Sequence, residues 1–306
     1  MSKSLAAHTS GLRARLIVWW RAVRPFSFTA SATPIMVGSA AAYHDGHFLP
    51  GRFLVVLVAS VAIHAATNLI NDYYDHVRGV DTAESIGPSG VIQRGLLAPR
   101  TVLSGGLVLF AFGGLLGMWL AVVVGWPILA VGVLSVMAGF AYTGGPRPLG
   151  YMGVGDLTVF LFMGPVIVMG AYYVQAGMMS AEAAWASLPI AALVTAILVV
   201  NNLRDLEDDR KRGKRTLATI LGAHGTRMEY FLLLICAYVA IGGGVALRLL
   251  APFALAAFLT VPQAFSAWRV VRDHTDAATL TRGGLRETAR LHQRVGLLLA
   301  IAFLIS

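Results

Sequence analysis

Runs of about 20 mostly apolar residues, parted by short loops that gather nearly all the charge, recur along the whole chain, and a run of that length is what a helix needs to cross a bilayer. About nine such segments centre on residues 26–43, 53–72, 102–123, 126–142, 156–176, 185–203, 229–247, 251–270 and 291–306. With 57% of residues hydrophobic, 13% charged and a mean hydropathy of +0.71, an ordinary soluble domain is excluded. The segments lack the alternating polarity of an outer-membrane barrel. The expected fold is all-α: a polytopic membrane protein of about nine transmembrane helices around a central cavity, with 1–306 as a single intramembrane domain.

A net charge of +9 and a pI near 10.1 raise the question of a nucleic-acid partner. The positions of the basic residues answer it. If the N-terminus is inside, 22 of the 24 lysines and arginines fall in cytoplasmic segments, and only Arg52 and Arg248 fall outside. This is the positive-inside pattern. It predicts N-in/C-out topology in the cell (inner) membrane and no nucleic-acid partner. No cleavable signal peptide is expected, because Arg21 and Arg24 interrupt the first apolar run. The segment from Leu12 to Val23 is expected to lie in the membrane interface, and the lone Cys236 to be a small core residue.

Against this apolar background, NLINDYYDHVRGVD (Asn68 to Asp81) is exceptional. On a helix, His64, Asn68, Asn71, Asp72 and Asp75 recur at steps of three or four and share one face. Ionisable groups at membrane depth face a bundle interior or a wet cavity rather than lipid. The sixth apolar segment ends in a similar way, NNLRDLEDDRKRGKRTL, where Asn202 precedes Asp205 and Asp209 four residues apart. Four helices separate the two ends, so both open to the same side, predicted to be the cytoplasm. Two carboxylate pairs that converge repel one another unless a cation lies between them. Hard oxygen donors of this kind suit Mg²⁺, which commonly joins one or two carboxylates to substrate phosphates. The candidate metal ligands are Asn71, Asp72, Asp75, Asp81, Asn202, Asp205 and Asp209, whereas Glu84 reads as a solvated loop charge. On the same side Arg78, Arg94, Arg147, Lys214 and Arg215 could neutralise a diphosphate leaving group. A metal-bound diphosphate beside an apolar bundle describes a polyprenyl diphosphate. Heterolysis at its allylic carbon leaves a carbocation for an electron-rich acceptor to capture.

These residues resemble the UbiA superfamily of intramembrane aromatic prenyltransferases, whose first motif reads Asn-Asp-x-x-Asp with a further Asp and whose second reads Asp-x-x-x-Asp. Asn71, Asp72 and Asp75 match the first, and Asp205 and Asp209 the second. The last aspartate of the first motif is displaced: Gly79 stands at its usual place and Asp81 follows. That departure is similar to the 1,4-dihydroxy-2-naphthoate polyprenyltransferase branch, as are Arg78, Asn202, Arg204, Gly213, Lys214, Thr216 and the stretch AYTGGPRPLGYMGVGD from Ala141 to Asp156. The resemblance covers nearly the whole chain. It implies Mg²⁺-dependent transfer of a polyprenyl group to 1,4-dihydroxy-2-naphthoate, with release of diphosphate and CO₂ to give demethylmenaquinone, in contact with membrane lipid. It also implies diphosphate contacts from a lysine like Lys214 and help from Tyr142 and Arg147. Tyr142 either shields the carbocation or anchors its helix at the interface.

Other readings stay open. His64 and Asn68 are candidate acceptor contacts, and His64 is equally a packed core histidine. Asp156 is a helix cap or an acceptor-side base. The long segment from Val77 to Arg100, with Gln93 and Arg94, is expected to cover the site. Gly113, Gly117 and Gly242 to Gly244 are expected to permit close helix approach, Pro34 and Pro165 to kink their helices, and the charges from Arg269 to Arg294 to form a cytoplasmic helix or lid. The rival functions are prenylation of another acceptor such as 4-hydroxybenzoate, a transporter, and a non-catalytic binding protein. Prenyl chain length and oligomeric state are not legible.

Overall fold

The structure is a computed structural model that describes residues 11–82 and 89–306, so Glu84 lies outside the described residues. Among these residues it is helical throughout, with no strand beyond one isolated bridge between Met152 and Arg215. The main helices are α1 (Leu12–Val23), α2 (Thr29–His44), α3 (Pro50–Val77), α4 (Pro99–Val124), α5 (Trp126–Ala141), α6 (Gly155–Ala176), α7 (Ala181–Arg204), α8 (Leu206–Lys211), α9 (Leu217–Ala246), α10 (Pro252–Asp273) and α11 (Ala277–Ile305). Seven of the described helices, α3, α4, α6, α7, α9, α10 and α11, are long and apolar enough to cross a membrane. Helices α2 and α5 occupy the first and fourth predicted segments, but at 16 residues each they fall short of that length.

Local chemistry explains most boundaries. Proline opens α3, α4 and α10, where its missing N–H costs no hydrogen bond. Ser180 caps α7 by accepting from the Ala183 N–H at 3.2 Å, and Thr216 caps α9 by accepting from the Thr219 N–H at 3.2 Å. Pro165 lies in a π-helical stretch, Phe162–Val166, that interrupts α6. The last helix begins at Ala277, well before the predicted residue 291. The charges from Arg269 to Arg294 are therefore divided between the end of α10 and the start of α11, and form no separate helix. They are the polar turns of two spanning segments.

Helix α7 is the axis of the bundle: 72% of its most apolar window is buried, against 17% for α4. Ile190 and Leu193 on α7 are fully enclosed, together with Leu291, Val295 and Leu299 of α11. Small residues let neighbouring helices close on one another. A methyl group at Gly113 on α4 would stand 2.8 Å from Ile63 on α3, which accounts for that glycine. Gly117 differs from the expectation. Nothing lies within 4 Å of its missing side chain, and it lines an open cavity instead. Cys236 is also not a core residue, since it is exposed on α9.

Candidate active site

Helix α3 stays helical to Val77, so Asn68, Asn71, Asp72 and Asp75 remain on one face, as their spacing requires. Asp72 is only 3% exposed, and its two carboxylate oxygens are taken by the Arg24 guanidinium and the Ser89 hydroxyl. Arg24 lies between α1 and α2 with φ 56, a left-handed conformation that costs a non-glycine residue about 1 kcal/mol. That turn carries its guanidinium to Asp72. Asp75 accepts a hydrogen bond from the Tyr151 hydroxyl at 2.5 Å.

The displaced aspartate has a structural reason. Gly79 adopts φ 69 just after α3 ends, and the N–H groups of Val80 and Asp81 then return to the Asp75 carbonyl at 2.8 and 3.1 Å. This turn folds Asp81 back toward the helix end. Burial, reinforced by Asp75 and Asp72 and opposed by Arg24 and Lys214, pushes the Asp81 carboxyl up to about 7.

The second acidic segment is built differently. Helix α7 ends at Arg204 with Asp205 at its C-cap, a short α8 follows, and Gly213 at φ 71 turns the chain so that the Lys214 N–H meets the Asp209 carbonyl at 2.9 Å. Asp205 is gripped by its own neighbour, with the Arg204 Nε and Nη2 donating to the two carboxylate oxygens at 2.7 and 2.6 Å. Asp209 is buried. Its Oδ1 lies 3.5 Å from the Lys214 ammonium, and its Oδ2 has no partner among the described residues. Burial raises the Asp209 carboxyl to about 6, opposed by Lys214 and reinforced by Asp205 and Asp75.

Tyr151 joins the two ends. Its hydroxyl donates to Asp75, while the Arg78 guanidinium and the Lys214 ammonium each stand 5.2 Å from its ring centre. The Met152–Arg215 bridge lies beside this contact. Arg78 is occupied by the loop after α5, donating to the carbonyls of Thr143 and, at 2.5 Å, of Gly145. Tyr142 begins that loop. Burial comes first, then the charges of Asp156, Asp75 and Asp209, in pushing its phenol well above the ordinary range.

An apolar cavity of about 810 Å³ runs from this region between α3, α4, α5 and α6. Ser31, His64, Asn68, Asn71, Tyr142 and Thr158 are polar members of its lining. The His64 ring nitrogens are shared with the hydroxyls of Ser31 at 2.7 Å and Ser27 at 3.2 Å, and Asn68 donates to the Val23 carbonyl at 3.0 Å. Both are thus hydrogen-bonded cavity residues. Asn71 turns an unpartnered buried oxygen into the same region. Asn202 is buried, whereas Arg94, Arg147 and Arg215 are exposed. Asp156 is not the cap: Val154 holds the cap position of α6, and both Asp156 carboxylate oxygens lack a hydrogen-bond partner among the described residues.

Among the described residues no three His, Cys, Asp or Glu side chains converge into a ready-made cation cage. The donors are nevertheless suited to a hard divalent ion. Asp209 and Asn71 each keep a free buried oxygen, Asp72, Asp75 and Asp205 have partners that an incoming ligand can displace, and Asp81 lies near enough to feel the charges of Asp75 and Asp72. Such a set matches an ion that arrives with phosphate oxygens of its own. Arg24, Ser89 and Tyr151 do not stand out in the sequence. The one hint is that Tyr151 lies within the same loop stretch as Tyr142 and Arg147.

A helical membrane bundle with two acidic helix ends beside a long apolar cavity is the architecture of a membrane-bound transferase for substrates with a charged head and an apolar tail. Residues 31–283 match the model of the UbiA prenyltransferase family, and the chain belongs to that family. It is 33% identical over 290 residues to the 1,4-dihydroxy-2-naphthoate octaprenyltransferase of Bacillus subtilis, covering 94% of this chain and 93% of that one. It is 35% identical over 254 residues to the protein of the same name from Mycobacterium tuberculosis, covering 83% and 86%. The fold matches a UbiA homolog from Archaeoglobus fulgidus bound to DMAPP and Mg²⁺, with a TM-score of 0.63 and 14% identity over 92% of this chain and 99% of that one.

Proposed function

We propose that this prenyltransferase moves a polyprenyl group from its diphosphate to 1,4-dihydroxy-2-naphthoate, releasing diphosphate and CO₂ to give demethylmenaquinone. The observation that carries the reading is the meeting of the two acidic helix ends around Tyr151 and Lys214, beside an apolar cavity of about 810 Å³. The names of the similar bacterial relatives supply the acceptor. Asn71, Asp72, Asp75, Asp81, Asn202, Asp205 and Asp209 hold Mg²⁺, as the metal-bound archaeal homolog supports. Mg²⁺, when bound, neutralises charge on the departing diphosphate.

The remaining work falls to the chain itself. Lys214, Arg24 and Arg78 pair with acidic groups or loop carbonyls and release to the diphosphate once it arrives, so no cation is left without a partner at any stage. Arg94, Arg147 and Arg215, being exposed, meet the diphosphate only if their segments close over it. The cavity takes the prenyl tail and keeps water from the allylic cation, and the Tyr142 ring lies where its face can stabilise that cation. The distribution of basic residues supports a site on the cytoplasmic side of an N-in/C-out protein.

The test is a product assay on purified protein in detergent with Mg²⁺, farnesyl diphosphate and either 1,4-dihydroxy-2-naphthoate or 4-hydroxybenzoate, read by mass spectrometry. A prenylated naphthoquinol that has lost the carboxylate is expected. Prenylated hydroxybenzoate alone would move the enzyme to a different pathway. Vesicle uptake without any covalent product would favour a transporter.

A further inference from the structure

Asp156 is left unused by the chemistry above, and it is an unusual residue. It is 5% exposed, and neither of its carboxylate oxygens has a hydrogen-bond partner among the described residues. Its charge is felt by the Tyr142 phenol and by a second acid, Glu229 on α9. A buried carboxylate without donors is costly, and nothing in the packing of α6 requires one.

Its surroundings show what it could serve. The Tyr142 ring rests on the first turn of α6: a methyl group on Gly155 would lie 3.3 Å from the Tyr142 hydroxyl oxygen. The loop is tied in the same position by the Gly150 N–H, which donates to the Tyr142 carbonyl at 2.9 Å. Tyr142 and Thr158 line the cavity, and Asp156 does not. Asp156 directly follows Gly155, so its carboxylate belongs to the same first turn of α6 on which the cavity-lining Tyr142 phenol rests.

We propose that Asp156 is a positioning residue that acts through the Tyr142 hydroxyl, holding the proton of the acceptor's ring hydroxyl while the new carbon–carbon bond forms. The proposal rests on the prenyl-transfer reading. The acceptor O–H gives its proton to the Tyr142 oxygen as Tyr142 passes its own to an Asp156 oxygen, leaving an aryloxide. The electron pair at the neighbouring ring carbon forms the bond to the allylic carbon, and the breaking carbon–oxygen bond leaves its pair on the diphosphate. The resulting β-keto carboxylate loses CO₂, the freed pair restores the aryloxide, and the proton returns along the same path. No oxidant and no net proton are consumed.

The experiment compares wild type, Asp156→Asn and Tyr142→Phe in the assay above, measuring kcat and KM for both substrates. The acceptor is then replaced by a halogenated analogue with a more acidic hydroxyl. For Asp156→Asn the expected result is a kcat lower by about 10²-fold with KM for farnesyl diphosphate unchanged. Most of that loss should be recovered with the acidic acceptor, which needs less help in losing its proton. Tyr142→Phe should show the same acidity-dependent recovery, and it carries the test if Asp156→Asn fails to fold. The proposal is overturned if Asp156→Asn keeps the wild-type kcat, or if the losses in both variants are the same for every acceptor. Absence of product from the wild type with any aromatic acceptor would instead overturn the prenyl-transfer reading, and the inference with it.

Discussion

The two acidic helix ends carry similar residues but are held in different ways. At the end of α3, Asp72 is buried and bound by Arg24 and Ser89, which come from elsewhere in the chain, while Asp75 depends on Tyr151 from a still more distant loop. At the end of α7, Asp205 is held by the adjacent Arg204, and Asp209 by Lys214 a few residues on. The Asp72 side chain is 4% exposed and that of Asp205 is 37% exposed. The first end is assembled by tertiary contact and the second by local sequence. The second end keeps its partners within its own segment, whereas the first is covered by partners from three segments.

The contrast can be broken most directly at the acids. Asp72→Ala and Asp209→Ala should each lower kcat/KM by about 10³-fold or more, since each removes an oxygen donor proposed to hold the Mg²⁺ that would offset the charge of the departing diphosphate; product mass spectrometry under Mg²⁺ saturation measures this. Arg24→Ala should separate the two ends in stability. It leaves the buried Asp72 carboxylate unpaired and should cost about 3 kcal/mol, seen as a lower melting temperature in detergent. Tyr151→Phe removes one hydrogen bond to an ionised group and should lower kcat/KM by roughly tenfold while leaving the fold intact. Arg204→Ala, at a partly exposed pair, should change stability by less than about 1 kcal/mol. A cost equal to that of Arg24→Ala would erase the distinction.

The smallest expected effect is on pH. Folding raises the Asp81 carboxyl from 3.8 to about 7, so the folded chain binds that proton more tightly than the unfolded one. Its contribution is therefore fully present below 3.8 and is lost as pH rises toward 7. Without metal or diphosphate, the wild type should melt at a higher temperature at pH 5 than at pH 8, and Asp81→Asn should flatten that slope.

Much of this was legible beforehand. The period that places Asn68, Asn71, Asp72 and Asp75 on one face depends only on helix geometry, and hydropathy locates the apolar helices, because a bilayer imposes a length, although it misses an end such as the start of α11 at Ala277. The aspartate displaced past Gly79 was visible as well, although its folding back to the Asp75 carbonyl was not. Lys214 and Arg204 lie within a few residues of the acids they meet, so local sequence alone brings each pair together.

Where reading the sequence failed, the deciding contacts joined distant segments. By sequence Arg24 is one topology charge among several, yet a left-handed turn brings it to Asp72, while the comparably basic Arg94, Arg147 and Arg215 remain exposed. Nothing in the sequence sets Tyr151 apart from Tyr142 and Arg147 in the same loop, and the position of Asp156 fits a cap as well as an acceptor-side base. Residue type and spacing determined that this chain must be a helical membrane bundle with two acidic ends, since those properties follow from backbone periodicity and the cost of exposing polar groups to lipid. Which cation guards which carboxylate, and which buried acid is left without a partner, was decided only by the packing of α1, α6 and the loop after α5, because a single pairwise contact across tens of residues leaves no periodic mark in the chain.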